Sequence, residues 1–205
     1  MSVIISFVIQ KGGSGKTTLT VNCAIAAWLK KKKVIIFDMD PQRSAEKWFQ
    51  IRENELPPLA RVTAAQLPAS IEAASKQYDF IFIDTPGRDE PAQATAIAHS
   101  DFCVIPCRPS PTDLNATPET VATVKRLNKP FAFVITQAPA RSYRVAEAVE
   151  ALTVIGAVCP VPVVSRNAYQ DAQGLGLGVL EFEPKGRAAE ESEKLWKWLA
   201  GKIKQ

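Results

Sequence analysis

A doubly wound α/β fold, with a mostly parallel sheet and helices on both faces, is what this sequence predicts. Short β-rich apolar runs alternate with helical patterns from end to end. No internal repeat, linker or low-complexity tract interrupts them. At 205 residues, 46% of them hydrophobic, the chain is long enough for one buried core and short for two. A single domain over residues 1–205 is therefore expected.

Strands are expected at residues 3–9, 34–37, 80–83, 102–105, 131–135 and 161–164. Each is an almost unbroken apolar run, as a strand covered on both faces requires. Between them, helices are expected at residues 16–31, 44–54, 69–77, 113–127, 143–155 and 188–204. Asp113 and Ser142 are suited to cap two of these, since a short side-chain oxygen can accept a first-turn N–H. The Pro57-Pro58 pair ends another.

Composition excludes some classes. A formal charge of +4 permits contact with a polyanion but lacks the bias of a dedicated nucleic-acid binder. Cys23, Cys103, Cys107 and Cys159 form no CxxC pair and lie in or beside apolar runs, which reads as reduced core thiols of a cytoplasmic protein. The first ten residues run straight into a glycine-rich loop and read as a core strand, not a leader. No stretch approaches the ~20 apolar residues of a membrane span.

The chemistry sits at three strand ends. After the first strand comes Gln10-Lys11-Gly12-Gly13-Ser14-Gly15-Lys16-Thr17-Thr18, then the apolar helical pattern Leu19, Val21, Ala24, Ile25 and Trp28. Strand, glycine loop and helix in that order make a phosphate cradle, with backbone N–H groups at the positive end of a helix. Lys16 is expected on the β- and γ-phosphates and the Thr17 hydroxyl on magnesium. A third strand delivers Asp84 after four apolar residues, the pattern of a carboxylate placed beside that magnesium. Between them, Phe37-Asp38-Met39-Asp40-Pro41 puts two acids at the end of the second strand, where open α/β sheets bind ligands.

Together these motifs resemble the ParA/MinD family of deviant Walker-A ATPases. Lys11-Gly12-Gly13-Ser14-Gly15-Lys16-Thr17-Thr18 looks like its phosphate loop, Asp38 to Gln42 like its switch I and Asp84-Thr85-Pro86-Gly87 like its switch II. The resemblance implies ATP/ADP and Mg2+ as ligands, and an ATP-sandwich homodimer in which Lys11 reaches the partner's phosphates. It implies that Asp40 positions the attacking water and that Asp38 helps organise the magnesium shell. Thr136-Gln137 stands where the family has a base-side Thr-Asn or Thr-Lys, and Gln137 departs from that pattern. Residues 162–169 look like the segment near the adenine, which makes Pro162 and Val163 base-side candidates.

No strong general base is visible, so hydrolysis is expected to be slow and stimulated by a partner. The output expected from the resemblance is partition of plasmid or chromosomal DNA, or positioning of another large cargo. Non-specific DNA and a small ParB-like adaptor would be the partners, at the nucleoid in the cytoplasm. Arg141, Arg144, Arg166, Lys185 and Arg187 are the candidate phosphate contacts.

A MinD-like membrane switch is the alternative. It would use Leu195, Trp196, Trp198, Leu199 and Ile203 interleaved with Lys194, Lys197, Lys202 and Lys204, although the same pattern fits a final helix packed on the sheet. A dethiobiotin-synthetase-like enzyme would need a catalytic lysine near switch I, where this chain has Asp40-Pro41-Gln42-Arg43.

Overall fold

The computed structural model describes residues 2–203. Its strands are β1 Val3–Phe7, β2 Val34–Asp38, β3 Leu59–Arg61, β4 Phe80–Asp84, β5 Phe102–Cys107, β6 Phe131–Ile135 and β7 Ala157–Val158. They form one sheet in the order β3-β2-β4-β1-β5-β6-β7, and every pairing is parallel. The helices in the first half are α1 Lys16–Leu29, α2 Ser44–Ile51, α3 Leu67–Ala74 and α4 Glu90–Ala98. After β5 come α5 Pro111–Leu114, α6 Thr117–Arg126, α7 Tyr143–Thr153, α8 Asn167–Gly174, α9 Val179–Phe182 and α10 Arg187–Ile203.

The period-two alternation of the strands sorts their apolar side chains to opposite faces. Phe7, Ile36, Phe82 and Val104 pack with α1 and α10 in one core. Ile81 and Ile83 pack with α3 and α4, and Ile105 and Phe133 with α6 and α7, on the other face. This two-sided cover is why the strands read as unbroken apolar runs. Register then sets the site, because Asp84 pairs with Phe7 on one side and with Asp38 on the other. All three strand ends open on one crevice.

Several expected elements differ. No strand forms at residues 161–164; β7 lies earlier and Val164 makes only an isolated bridge to Ala138. Pro160 and Pro162 lack the N–H groups that a ladder needs. The helix expected at 113–127 is two helices, broken where Pro118 stands beside the start of α6. Ser110, not Asp113, caps α5, with its hydroxyl accepting from the Asp113 N–H at 3.3 Å. Ser142 does cap α7. The second helix stops at Ile51, ahead of Pro57-Pro58, because Arg52 turns to extended backbone. Strand β3 and helices α4, α8 and α9 lie outside the elements that the apolar patterns predict.

Helix α10 buries Leu195, Trp196 and Leu199 in the core. Lys204, part of the sequence pattern drawn for that helix, lies outside the described residues. Among the described residues no helix is long and apolar enough to cross a membrane. The four cysteines are free and buried, and burial pushes the Cys107 thiol up to about 12, which keeps it unreactive.

Candidate nucleotide site

Gly13 and Gly15 take left-handed φ values of 71° and 93°, which bend the loop after β1 into a cradle. Gly15 also caps α1 without any side-chain acceptor, so the first N–H groups of that helix are left for an anion. Below the loop lies a cavity of about 710 Å³, lined by Gly12 to Thr18 and by Asp40, Gly87 and Arg88 among others. Lys16 is buried at its floor, where its ammonium donates to the carbonyls of Lys11 at 2.9 Å and Ile9 at 3.4 Å. Burial lowers its pKa, opposed by the charges of Asp84 and Asp40.

Asp84 faces the same floor. Its Oδ2 accepts from the Thr17 hydroxyl at 2.6 Å, and its Oδ1 is buried with no hydrogen-bond partner. Burial raises its pKa to about 7, with the Thr17 bond opposing and the neighbouring Asp38 adding to the rise. An orphaned buried carboxylate oxygen beside a hydroxyl suits a hard divalent cation. Among the described residues no cluster of three His, Cys, Asp or Glu could hold a metal. The Thr17 and Asp84 oxygens would therefore fit magnesium only as part of a shell completed by water and phosphate oxygens.

Asp38 is fully buried and already engaged. Its oxygens accept from the Asp40 N–H at 2.9 Å and the Glu46 N–H at 3.0 Å, and Arg61 lies 3.3 Å away. Those contacts fix the β2–α2 turn that carries Asp40. Asp40 lines the cavity, with its Oδ1 accepting from Gln42 N–H at 2.9 Å. Lys11 turns elsewhere: its ammonium sits 2.9 Å from Asp113, which also takes Arg108 at 3.0 Å and the Ser110 hydroxyl. These three donors outweigh the effect of burial and hold the Asp113 carboxyl below its ordinary range.

Switch II is tied to the loop. Thr85 donates to the Phe7 carbonyl at 2.6 Å, and a Cβ at Gly87 would come within 3.3 Å of the Lys11–Gly12 backbone. Gln93, buried on α4, donates to the carbonyls of Pro86 at 2.6 Å and Ile9 at 3.1 Å. It bridges the start of the phosphate loop to switch II. No local motif in the sequence marks Gln93.

The chain matches the model of the VirC1 protein family over residues 1–197. It is 32% identical over 200 residues to the maintenance of carboxysome distribution protein A of Gloeobacter kilaueensis, covering 94% of this chain and 90% of that relative. It is 26% identical over 150 residues to the chromosome-partitioning ATPase Soj of Thermus thermophilus, covering 58% of this chain and 59% of that one. The septum site-determining protein MinD of Pyrococcus horikoshii, solved with Mg-ADP, superimposes with a TM-score of 0.81 at 19% identity, over 99% of both chains. The chain belongs to the VirC1 family. With it, the chain is a ParA/MinD-type P-loop ATPase.

In this ParA/MinD-type chain the phosphate cavity continues into a second one of about 180 Å³, lined by Thr18, Thr136, Gln137, Val163, Tyr169 and Gln173 among others. Gly15, Thr18, Gln137 and Gln173 border both cavities. Val163 lines it; Pro162 is half-buried just outside. Thr136 donates to the Ser14 carbonyl at 2.8 Å and Gln137 to the Gly13 carbonyl at 2.7 Å, so the pair clasps the loop from the base side. Of the basic candidates, Arg141, Arg144, Lys185 and Arg187 are exposed, while Arg166 forks onto Glu191.

Proposed function

We propose that the chain is an ATP-driven dimerisation switch that positions a large cargo. Lys16 and the loop N–H groups would hold the β- and γ-phosphates, Thr17 and Asp84 would hold magnesium, and Asp40 would orient the attacking water. Magnesium, when bound, supplies positive charge to the β- and γ-phosphate oxygens. Asp38 would keep the Asp40 loop in register, and Gly87 would feel the γ-phosphate through its contact with Gly12. Pro162 and Val163 would flank the base.

The observation that carries the dimer reading is the direction of Lys11. Its ammonium is on Asp113 and its side chain is absent from the lining of its own phosphate cavity. A lysine embedded in a phosphate loop but turned off its own site is available to a second copy. Two copies would close on two ATP molecules, with each Lys11 released onto the other's phosphates.

Slow hydrolysis, raised by a small ParB-like adaptor, would reopen the pair. The ATP form would ride non-specific DNA through exposed basic side chains, and the relatives named for carboxysomes and for chromosomes favour a large cargo of either kind. The MinD-like membrane alternative finds less support, because α10 commits Leu195, Trp196 and Leu199 to the core.

Light scattering on the chain with Mg-ATP tests the switch. Lys11→Ala should bind ATP as a monomer and fail to dimerise, whereas Asp40→Ala should accumulate as an ATP-bound dimer. Normal dimerisation of Lys11→Ala would refute the reading.

A further inference from the structure

Lys30, Lys31, Lys32 and Lys33 form the turn between α1 and β2, and all four are exposed. Helix α1 runs back from the phosphate loop against the strand direction, so this turn lies at the amino ends of the strands, the pole opposite the nucleotide. There a groove of about 700 Å³ has Lys30 on one wall and Lys194 and Lys197 of α10 on the other. We propose that the lysine turn, Lys30 to Lys33, and the groove beside it together grip the sugar-phosphate backbone of duplex DNA. The inference rests on the DNA reading above and moves the contact from the basic residues Arg141, Arg144, Lys185 and Arg187 to this pole.

The balance of charge favours it. Lys30 pairs with Glu193 at 2.5 Å and Lys194 with Glu190 at 2.6 Å, while the Asp79 carboxylate accepts the backbone N–H of Lys33 at 2.9 Å. Among the described residues no carboxylate comes within 4.0 Å of the ammonium groups of Lys31, Lys32, Lys33 or Lys197. Lys202, near the end of α10, stacks over Trp198 at 5.8 Å. One or two cations at a helix end complement its dipole, and that accounts for Lys30. It does not account for three more beyond the cap, which repel one another unless a polyanion lies across them.

The groove suits DNA better than an anionic membrane. A basic helix that lies on lipid turns apolar side chains outward, but Trp196 is 6% and Leu199 0% exposed here. Leu29, 42% exposed, is the one large apolar side chain exposed between the end of α1 and β2. What remains is attraction to phosphate, which carries sequence-independent DNA affinity.

The test is fluorescence anisotropy of a labelled duplex of arbitrary sequence with the full chain and Mg-ATP over a salt series. We compare wild type, the triple variant Lys31→Gln, Lys32→Gln, Lys33→Gln, and the triple variant Arg141→Gln, Arg144→Gln, Lys185→Gln. The lysine variant should keep ATP-dependent dimerisation yet lose roughly tenfold or more in affinity. Its slope of log affinity against log salt should flatten by roughly 0.9 for each phosphate no longer neutralised. The arginine variant should stay within about twofold of wild type by the same account. If instead the lysine variant binds as wild type and the arginine variant does not, the groove is overturned while the DNA reading stands. Wild type that dimerises with ATP but ignores DNA overturns both. Binding to phosphatidylserine vesicles that the lysine variant alone loses, with DNA binding unchanged, reassigns the groove to lipid.

Discussion

The Arg52 guanidinium and the Asp84 carboxylate are both sealed from solvent, yet their surroundings are opposite in kind. Arg52 donates to both oxygens of Glu181 at 2.8 and 2.6 Å, to the Gly176 carbonyl at 2.9 Å, and twice to the Leu56 carbonyl. It also lies over the rings of Trp48 and Trp28. Its five N–H donors are all engaged. Asp84 has one hydroxyl donor for two oxygens, two other acids nearby, and Lys16 as its counter-charge. The first arrangement is complete without a ligand and joins the end of α2 to the α8–α9 loop. The second leaves a buried carboxylate oxygen without a partner, the kind of unfinished electrostatics that singles out a candidate site.

The largest expected effect falls on the finished site. Arg52→Ala leaves the partly buried Glu181 without its partner and should cost roughly 3–5 kcal/mol. Calorimetry should show a midpoint lower by about 10 °C, with ATP affinity unchanged below it. If ATP affinity fell in parallel, the two regions would not be independent.

Next comes the acid. The folded-state pKa of Asp84, about 7, lies above the unfolded value of 3.8, so the folded protein keeps a proton that the unfolded chain releases. The stability that this carboxyl contributes to the nucleotide-free protein should be full below about pH 4 and fall by roughly 2–4 kcal/mol as pH rises to about 7, where it levels off. Asp84→Asn should flatten that slope in urea titrations, and Mg-ATP should flatten it in wild type. A wild-type profile already flat without ligand would mean that the orphaned oxygen is satisfied.

Lys16→Ala removes charge-assisted bonds to phosphate worth about 1.5–3 kcal/mol. ATP affinity should fall roughly 100-fold in a fluorescent-nucleotide titration.

Gln93→Leu gives the smallest change. It strips donors from the Pro86 and Ile9 carbonyls and should cost about 1–2 kcal/mol. Activity should fall because switch II loosens; an unchanged turnover rate would make Gln93 a structural residue like Arg52.

The three motif strands were legible because their information is local. Five residues of β4 ending in Asp84, or a glycine run before α1, state their role within one turn of chain. The finished site was not legible, because Arg52 meets Glu181 from 129 residues away. The same distance problem hid the clasp of Thr136 and Gln137, which reach the loop across 122 and 124 residues. Helix α4 was missed for another reason: its alanines carry no apolar period, and only Asp89, capping Ala92 at 3.0 Å, announces it. The apolar run at 161–164 misled because proline spacing, not hydrophobicity, decides whether a ladder can form.

Helix α1 begins with Lys16 at the floor of the loop cavity and ends against the four exposed lysines of the other pole. Its 14 residues make a rod about 21 Å long, buried from Leu19 to Ala27. A rod clamped in that way cannot flex in the middle, so a tilt imposed at one tip must appear at the other. Should phosphate tilt the first tip, the lysine turn would swing with it, which would make one helix the lever between the nucleotide cavity and the DNA contact inferred above.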